Sequence, residues 1–220
     1  ALINHSLRNV FKKQKISSKL VSIKSNQYKK LKLRINNEYL KSNANEDNMK
    51  FVYTLSKILK INNAAFVKSM TSFKGLPHRH EIFLKKRKIT FINDSKATSL
   101  KSSEFALSNS KNIYWILGGL PKNKDKINLR KIKKNIVCSY IIGKSVNIFK
   151  KKLKAQVNFK ICKNLDIALS NVINDIKFHK KESCKILFSP GAASFDQFKN
   201  FEKRGDEFKR LSKKYAKKII

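Results

Sequence analysis

Acidic residues are scarce in this sequence: 14 Asp and Glu stand against 51 Lys and Arg, a formal charge of +37 over 220 residues. Such a balance first raises an acidic partner, nucleic acid or anionic membrane. Arginine is scarce too, since 44 of the basic residues are Lys and seven are Arg, and bidentate reading of phosphates and base edges is arginine chemistry. Lys, Asn and Ile are enriched together along the whole chain, as AT-rich coding DNA would produce. A solvated basic surface is therefore preferred to a binding device, with a basic nucleic-acid-binding module kept as the alternative.

Cysteine is limited to Cys138, Cys162 and Cys184, an odd number with no CxxC spacing. This excludes a disulfide framework and argues against a zinc site, and it fits a cytoplasmic protein. No apolar run approaches the roughly 20 residues of a membrane helix, and no signal-peptide pattern opens the chain. His5, His78, His80 and His179 lack metal-ligand spacing. Neither a Ser-His-Asp arrangement nor a GxxxxGK[ST] phosphate loop is present. The first residue is Ala1, and "ALINH" reads as a strand already in progress, so the chain is expected to continue upstream.

What the sequence does contain is alternation. Between residues 1 and 41, apolar stretches at Ala1–Ile3, Leu20–Ile23 and Leu31–Ile35 alternate with lysine-rich turns and are expected to be strands. From Asn45 the spacing becomes helical, with Met49, Val52, Tyr53, Leu55, Ile58 and Leu59 on one broad face. Asn62 or Asn63 can cap a second helix carrying Phe66, Val67, Met70 and Phe73. "GLP" at Gly75 ends it and sets a domain boundary, giving regions 1–74 and 75–220.

Beyond the boundary, "HEIFL" and "KITFIND" read as a β-hairpin. Strands at "NIYWILGG", "IVCSYIIG", "VNFKI" and "CKILFS" then alternate with helices at "SLKSSEFALS", Val146–Leu153 and Leu165–Ile176, the last capped by Asn164. A final helix is expected over Phe195–Lys217, interrupted or kinked near Gly205. The pattern predicts an α/β fold, a Rossmann-like domain with a mostly parallel sheet. Ligands of such sheets lie outside the carboxyl ends of the strands.

Two strand-end loops on that edge are rich in polar atoms, "NDSKATS" and "SPGAASFDQF". Backbone N–H groups at a helix start, with Ser or Thr hydroxyls, offer a carboxylate or phosphate site. Lys96 adds a point charge, and Asp94 could hold a ribose hydroxyl, a cation or a magnesium-bound water. The plainer reading of one such loop is that Asp94, Ser95 and Thr98 cap the helix; two loops on one edge favour binding. Arg79, beside His78 at the boundary, could reach a phosphate or nucleobase.

Together, "FKGLPHRHE", "FINDSKATS", "ILGGLPK" and "LFSPGAASFDQFKNFEKRGDEF" resemble the Mur ligase family, and specifically its D-glutamate-adding members, from Asn45 to the end. The resemblance implies that residues 1–74 are the carboxyl-terminal part of an α/β central ATP-binding domain and 75–220 a whole carboxyl-terminal domain that binds D-glutamate. The phosphate loop, the magnesium-binding modified lysine and the UDP-binding domain would lie upstream of Ala1, leaving this piece inactive alone. The implied reaction, in peptidoglycan precursor synthesis, is an ATP-dependent amide ligation of D-glutamate to UDP-N-acetylmuramoyl-L-alanine through an acyl phosphate.

By the same resemblance, Asn45, Asn48, Arg79 and Asp94 contact the nucleotide, and Lys96 and Asp94 are catalytic. Thr98, Lys122, Ser194 and the backbone around Phe201 hold the D-glutamate carboxylates. ATP and Mg2+ are the implied cofactors, with magnesium ligands mainly upstream. The implied partners are the UDP-linked substrate, D-glutamate and ATP, with no specific nucleic acid, in a cytoplasmic monomer. Where the family usually has Gly-x-His-Asn, this chain reads Ser42-Asn43-Ala44-Asn45.

Overall fold

In the computed structural model, which describes residues 2–4, 7–13, 19–23, 26–37, 39–40, 43–123, 125–179 and 183–219, the chain divides into two units, Ala1–Gly75 and Leu76–Ile220. Ala1, His5 and Ser42, named above, lie outside the described residues, as does the side chain of His179.

In the first unit, strands β1 (Leu2–Asn4) and β2 (Val21–Ile23) pair in parallel, and helix α1 (Arg8–Lys12) falls between them in sequence. Helices α2 (Asn26–Lys32), α3 (Asn43–Ile58) and α4 (Asn63–Ser72) follow. The strand expected over 31–35 is not formed. Leu31 lies in the last turn of α2, and the Arg34 and Ile35 N–H groups bond back to Leu31 and Lys32 carbonyls. The cause is spacing: Tyr28, Leu31 and Ile35 recur at intervals of three and four, a helical period. All three are buried with Leu40, Met49, Tyr53 and Phe66.

Helix α4 starts as predicted, with Asn62 Oδ1 accepting from Ala65 N at 2.8 Å. It ends before Gly75, at Ser72, where Asn37 Nδ2 donates to the carbonyls of Met70 and Phe73 at 2.8 and 2.7 Å, the first of which also accepts from Phe73 N. The broad face of α3 is narrower than its sequence suggests. Met49 and Tyr53 are buried, whereas Val52, Leu55, Ile58 and Leu59 are exposed.

The second unit is built on a six-stranded sheet, in the order β3-β4-β8-β5-β6-β7, from β3 (Glu81–Lys86), β4 (Ile89–Asn93), β5 (Ile113–Gly118), β6 (Ile136–Ile142), β7 (Phe159–Ile161) and β8 (Cys184–Phe188). The hairpin β3-β4 is antiparallel and the other pairings are parallel, as the α/β pattern predicts. Helices α5 (Leu100–Ser108), α6 (Val146–Leu153), α7 (Leu165–His179) and α8 (Phe201–Ala216) cover both faces.

Successive strand residues serve opposite faces. Ile113, Trp115 and Leu117 of β5 pack with Leu107 of α5 and Phe149 of α6, while Tyr114 and Ile116 pack with Leu169 of α7 and Phe208 of α8. Covering both faces explains why β5 is apolar throughout rather than alternating.

The last helix departs from expectation. Residues 195–200 are irregular, and α8 begins at Phe201, where Asn200 Oδ1 accepts from Lys203 N at 2.8 Å. It then runs through Gly205 without interruption. Gly205 is required by close approach, because a Cβ there would lie 2.2 Å from His78 Nδ1. Among the described residues, no helix is long and apolar enough to cross a membrane.

Candidate active site

The carboxyl ends of β4, β8, β5 and β6 share one edge, and four loops leave it there. After β4 comes Asn93, fully buried, whose amide Nδ2 donates to His78 Nδ1 at 3.0 Å and Glu81 Oε2 at 3.1 Å. With Nδ1 accepting, the proton of the His78 ring sits on Nε2, 3.8 Å from Asp206 Oδ1. Burial pushes the Glu81 carboxyl up, but the His78 N–H, Lys209 and Asn93 outweigh it and hold Glu81 below the usual range.

Asp94 follows, also buried. Its Oδ1 accepts from the His80 N–H at 3.0 Å and its Oδ2 from Ser189 Oγ at 2.7 Å. Desolvation pushes its pKa up to about 6, against the pull of Ser189, the His80 N–H and the charge of Arg79. The Ser189 hydroxyl also lies 2.9 Å from Ser103 Oγ, and the Ser189 carbonyl accepts from Trp115 Nε1 at 2.8 Å. Asp94 thus ties the β4 loop to the β8 loop. The capping reading is corrected: Ser99 caps α5, accepting from Ser102 N.

Lys96 is exposed, with its ammonium 3.7 Å from the centre of the Phe201 ring, a cation–π contact. Its backbone N–H donates to the His78 carbonyl at 2.9 Å. Thr98 is half-buried one residue beyond Ala97, whose carbonyl accepts from Gly191 N at 2.9 Å.

The loop after β5 is clasped to the loop after β8: Leu120 and Ala193 exchange both backbone hydrogen bonds at 2.9 Å. Only glycine fits before that clasp, since Gly119 has φ +129° and a Cβ would stand 2.3 Å from the Ala193 carbonyl. Two residues on, Lys122 is exposed at the same edge. Ser194 is buried, and its carbonyl accepts from Gln197 and Phe198 N–H groups. Asp196 reaches to the β6 loop, accepting from Lys144 N at 3.0 Å.

Arg204 binds these loops from below. It is 1% exposed and pairs with no carboxylate among the described residues; Nε donates to Ser95 Oγ at 3.1 Å, Nη2 to Ser95 O at 2.8 Å and Nη1 to Ala192 O at 3.0 Å. Burial lowers its pKa to about 10, opposed by Asp196. Ser95 Oγ donates on to the Phe201 carbonyl at 2.8 Å. At that helix start the N–H groups of Phe201 and Glu202 have no intrahelical acceptor, the usual setting for an anion.

The structure therefore gathers Arg79, Asp94, Lys96, Thr98, Lys122, Ser194 and Phe201 in the loops of one unit. Arg79 is exposed between His78 and His80. Asn45 and Asn48 belong to the other unit, three residues apart on α3, where Asn45 Nδ2 donates to the Tyr39 carbonyl at 2.7 Å. The edge presents cations and hydroxyls around buried polar ties, an arrangement suited to carboxylates and phosphates.

A resident magnesium ion does not fit here. Both Asp94 oxygens are engaged, and among the described residues no group of three or more His, Cys, Asp or Glu could hold a metal. The sequence reading singled out neither Arg204 nor Ser103, and took Ser189 and Asp196 only as part of the loop after β8. Arg204 alone carried a signal, as one of seven arginines in a lysine-dominated chain.

No protein-family model matches the chain. Over 183 residues it is 36% identical to the UDP-N-acetylmuramoylalanine--D-glutamate ligase of Rickettsia felis, a match covering 83% of this chain and 41% of the relative. Other curated relatives of the same name match at 34% to 38% identity. In fold, the chain is similar to MurF from Acinetobacter baumannii, with a TM-score of 0.60 and 16% identity over 80% of this chain and 38% of that one. It is also similar to MurF ligase from Thermotoga maritima in complex with ADP, with a TM-score of 0.54 and 11% identity over 79% of this chain and 38% of that one. The match covers between 30% and 41% of the length of these curated relatives. Through four-fifths of its residues the chain is thus related in sequence to the UDP-N-acetylmuramoylalanine--D-glutamate ligases of the Mur ligase family, and it shares its fold with the two MurF structures.

Proposed function

We propose that this chain supplies nucleotide- and D-glutamate-binding parts of an ATP-dependent ligase that joins D-glutamate to UDP-N-acetylmuramoyl-L-alanine. The observation that carries the reading is the mutual hydrogen bonding of the β4, β5 and β8 loops, which hold Lys96, Thr98, Lys122 and Ser194 along one edge. D-Glutamate brings two carboxylates and one amine. An ammonium group, hydroxyls and the helix-start N–H groups at Phe201 can hold both carboxylates while the amine stays free to attack.

In this reading ATP phosphorylates the alanyl carboxylate of the UDP-linked substrate, and ADP leaves. The D-glutamate amine attacks the acyl phosphate to give a tetrahedral intermediate, which expels inorganic phosphate and leaves the amide. Arg79 and Lys96 meet phosphate oxygens, and Asn45 and Asn48 contact the nucleotide from the first unit. Asp94 acts through the backbone: its carboxylate holds the His80 N–H and the β8 loop, and so keeps Arg79 and Lys96 in place. Region 1–74 is then the end of an ATP-binding domain and 75–220 the D-glutamate-binding domain, in a monomeric cytoplasmic enzyme.

The test is ADP release by the full-length gene product containing this chain, with UDP-N-acetylmuramoyl-L-alanine and each of several amino acids. D-Glutamate-dependent release is expected; release with another amino acid and not with D-glutamate overturns the proposal.

A further inference from the structure

Arg79 stands between two residues of unusual backbone. His78 has φ +61° and His80 φ +47°, both in the left-handed region that non-glycine residues enter uncommonly. Each presents one backbone group to a residue of the β4 loop. The His78 carbonyl accepts from Lys96 N at 2.9 Å, and the His80 N–H donates to Asp94 Oδ1 at 3.0 Å. The turn is closed by Arg79 N bonding to Leu76 O at 3.2 Å and by His78 N bonding to Glu81 Oε2 at 2.9 Å.

The two histidines differ in what their rings do. That of His78 is engaged by Asn93 and packs on Phe201, with Gly205 leaving the space. The His80 ring packs edge-on against Phe105, and its Nδ1 has no hydrogen-bond partner among the described residues. Burial beside Lys185 keeps it neutral, with a pKa lowered to about 4. The hydrogen bond that His80 gives to the β4 loop is thus a backbone one, set by its conformation.

We infer that His80 is a positioning residue: its left-handed backbone, bonded to Asp94, fixes the segment of chain that carries Arg79 against the one that carries Lys96. The inference rests on the reading of Arg79 as a nucleotide contact. Asparagine and glycine adopt positive φ readily, alanine less so, and a β-branched residue least.

The experiment is steady-state kinetics of the full-length gene product carrying His80→Asn, His80→Gly, His80→Ala or His80→Val, with thermal melting of each. The KM for ATP is expected to rise about tenfold in His80→Val and to stay within about twofold in His80→Asn and His80→Gly, with the KM for D-glutamate unchanged. Should His80→Val lose its melting transition, His80→Ala decides: a smaller rise in the KM for ATP supports the inference, and none overturns it. Equal KM values for Val and Asn, or an equal rise for Gly and Val, overturn the inference alone, the latter because the ring would then be what acts. A wild-type protein without D-glutamate-dependent ADP release overturns the functional reading beneath it.

Discussion

The two units treat their apolar residues differently. In Leu76–Ile220 the sheet is sandwiched, and Tyr114, Trp115, Ile116 and Leu117 are fully buried in sequence. In Ala1–Gly75 the core is a handful of residues around Tyr28 and Tyr53, and α3 turns Val52, Leu55 and Ile58 outward, followed by Leu59, 62% exposed. The difference separates pattern from packing. Periodicity names the face an element can bury, but a second layer decides how much of it is covered. Buried polar ties are more numerous in the sandwiched unit, with Asn93, Asp94, Ser189 and Arg204, where low dielectric strengthens them, than in the first unit, where Asn37 ties the end of α4.

The largest effect should come from breaking one of those ties. Arg204→Met removes three donors and leaves Ser95 O and Ala192 O buried without partners, at a cost of about 3 to 5 kcal/mol. Trp115, the single tryptophan, is buried in this unit, so its fluorescence during denaturant unfolding reads the loss directly. Met49→Ala in the first unit should cost about 2 to 3 kcal/mol by cavity formation and leave the tryptophan transition in place. A tryptophan transition unmoved by Arg204→Met would show that the polar ties are not what distinguishes the second unit.

A smaller effect, hidden in the wild type, concerns pH. Asp94 has a folded pKa raised from 3.8 to about 6, so its contribution to stability declines as pH rises from 4 to 6. His80 has a folded pKa lowered from 6.5 to about 4, so its contribution declines as pH falls from 6.5 to 4. Each shift amounts to at most about 3 kcal/mol, in opposite directions, and the two nearly cancel in that window. Tryptophan-detected stability should therefore vary little with these groups in the wild type, rise with pH in Asp94→Asn and fall with pH in His80→Asn. Parallel profiles in all three proteins would refute the opposition.

The same contrast explains what was legible in the sequence. In the second unit the strands and helices fell close to their expected places, because each apolar run was short and bounded by turn residues, and those of the central strands β4, β8, β5 and β6 were largely buried. The edge loops were legible for the same reason, as polar residues following buried strands. The 31–35 strand failed because five residues fit either period until Tyr28 fixes the helical one. The kink at Gly205 failed because glycine usually weakens helices, and the neighbour that demands it, His78, lies far off in sequence. Arg204 and Ser103 were hidden because their partners, Ser95 and Ser189, are set by folding alone.

If the exposed Lys122 holds a carboxylate while buried ties such as Arg204 only shape the edge, its loss should weaken binding without loss of fold. Lys122→Ala removes a charge-assisted contact and should raise the KM for D-glutamate of the full-length gene product by about 10- to 100-fold. Tryptophan-detected stability should stay within about 0.5 kcal/mol of wild type, because Lys122 is exposed. An unchanged KM would remove Lys122 from the site, and a large loss of stability would move it among the structural ties.

The smallest expected effect tests the first unit. Leu55 is 46% exposed on α3, so Leu55→Gln, which keeps helix propensity, should cost under about 1 kcal/mol. Tyr53→Ala on the buried side of the same helix should cost about 3 kcal/mol, since it also removes ring contacts with Tyr28 and Phe66. Circular dichroism, dominated by helices, can follow both. The ratio between the two costs measures how one-sided α3 is. If Leu55→Gln cost as much as Tyr53→Ala, the outward face would be covered in solution, and the broad apolar stripe predicted from the sequence would be the true description of this helix.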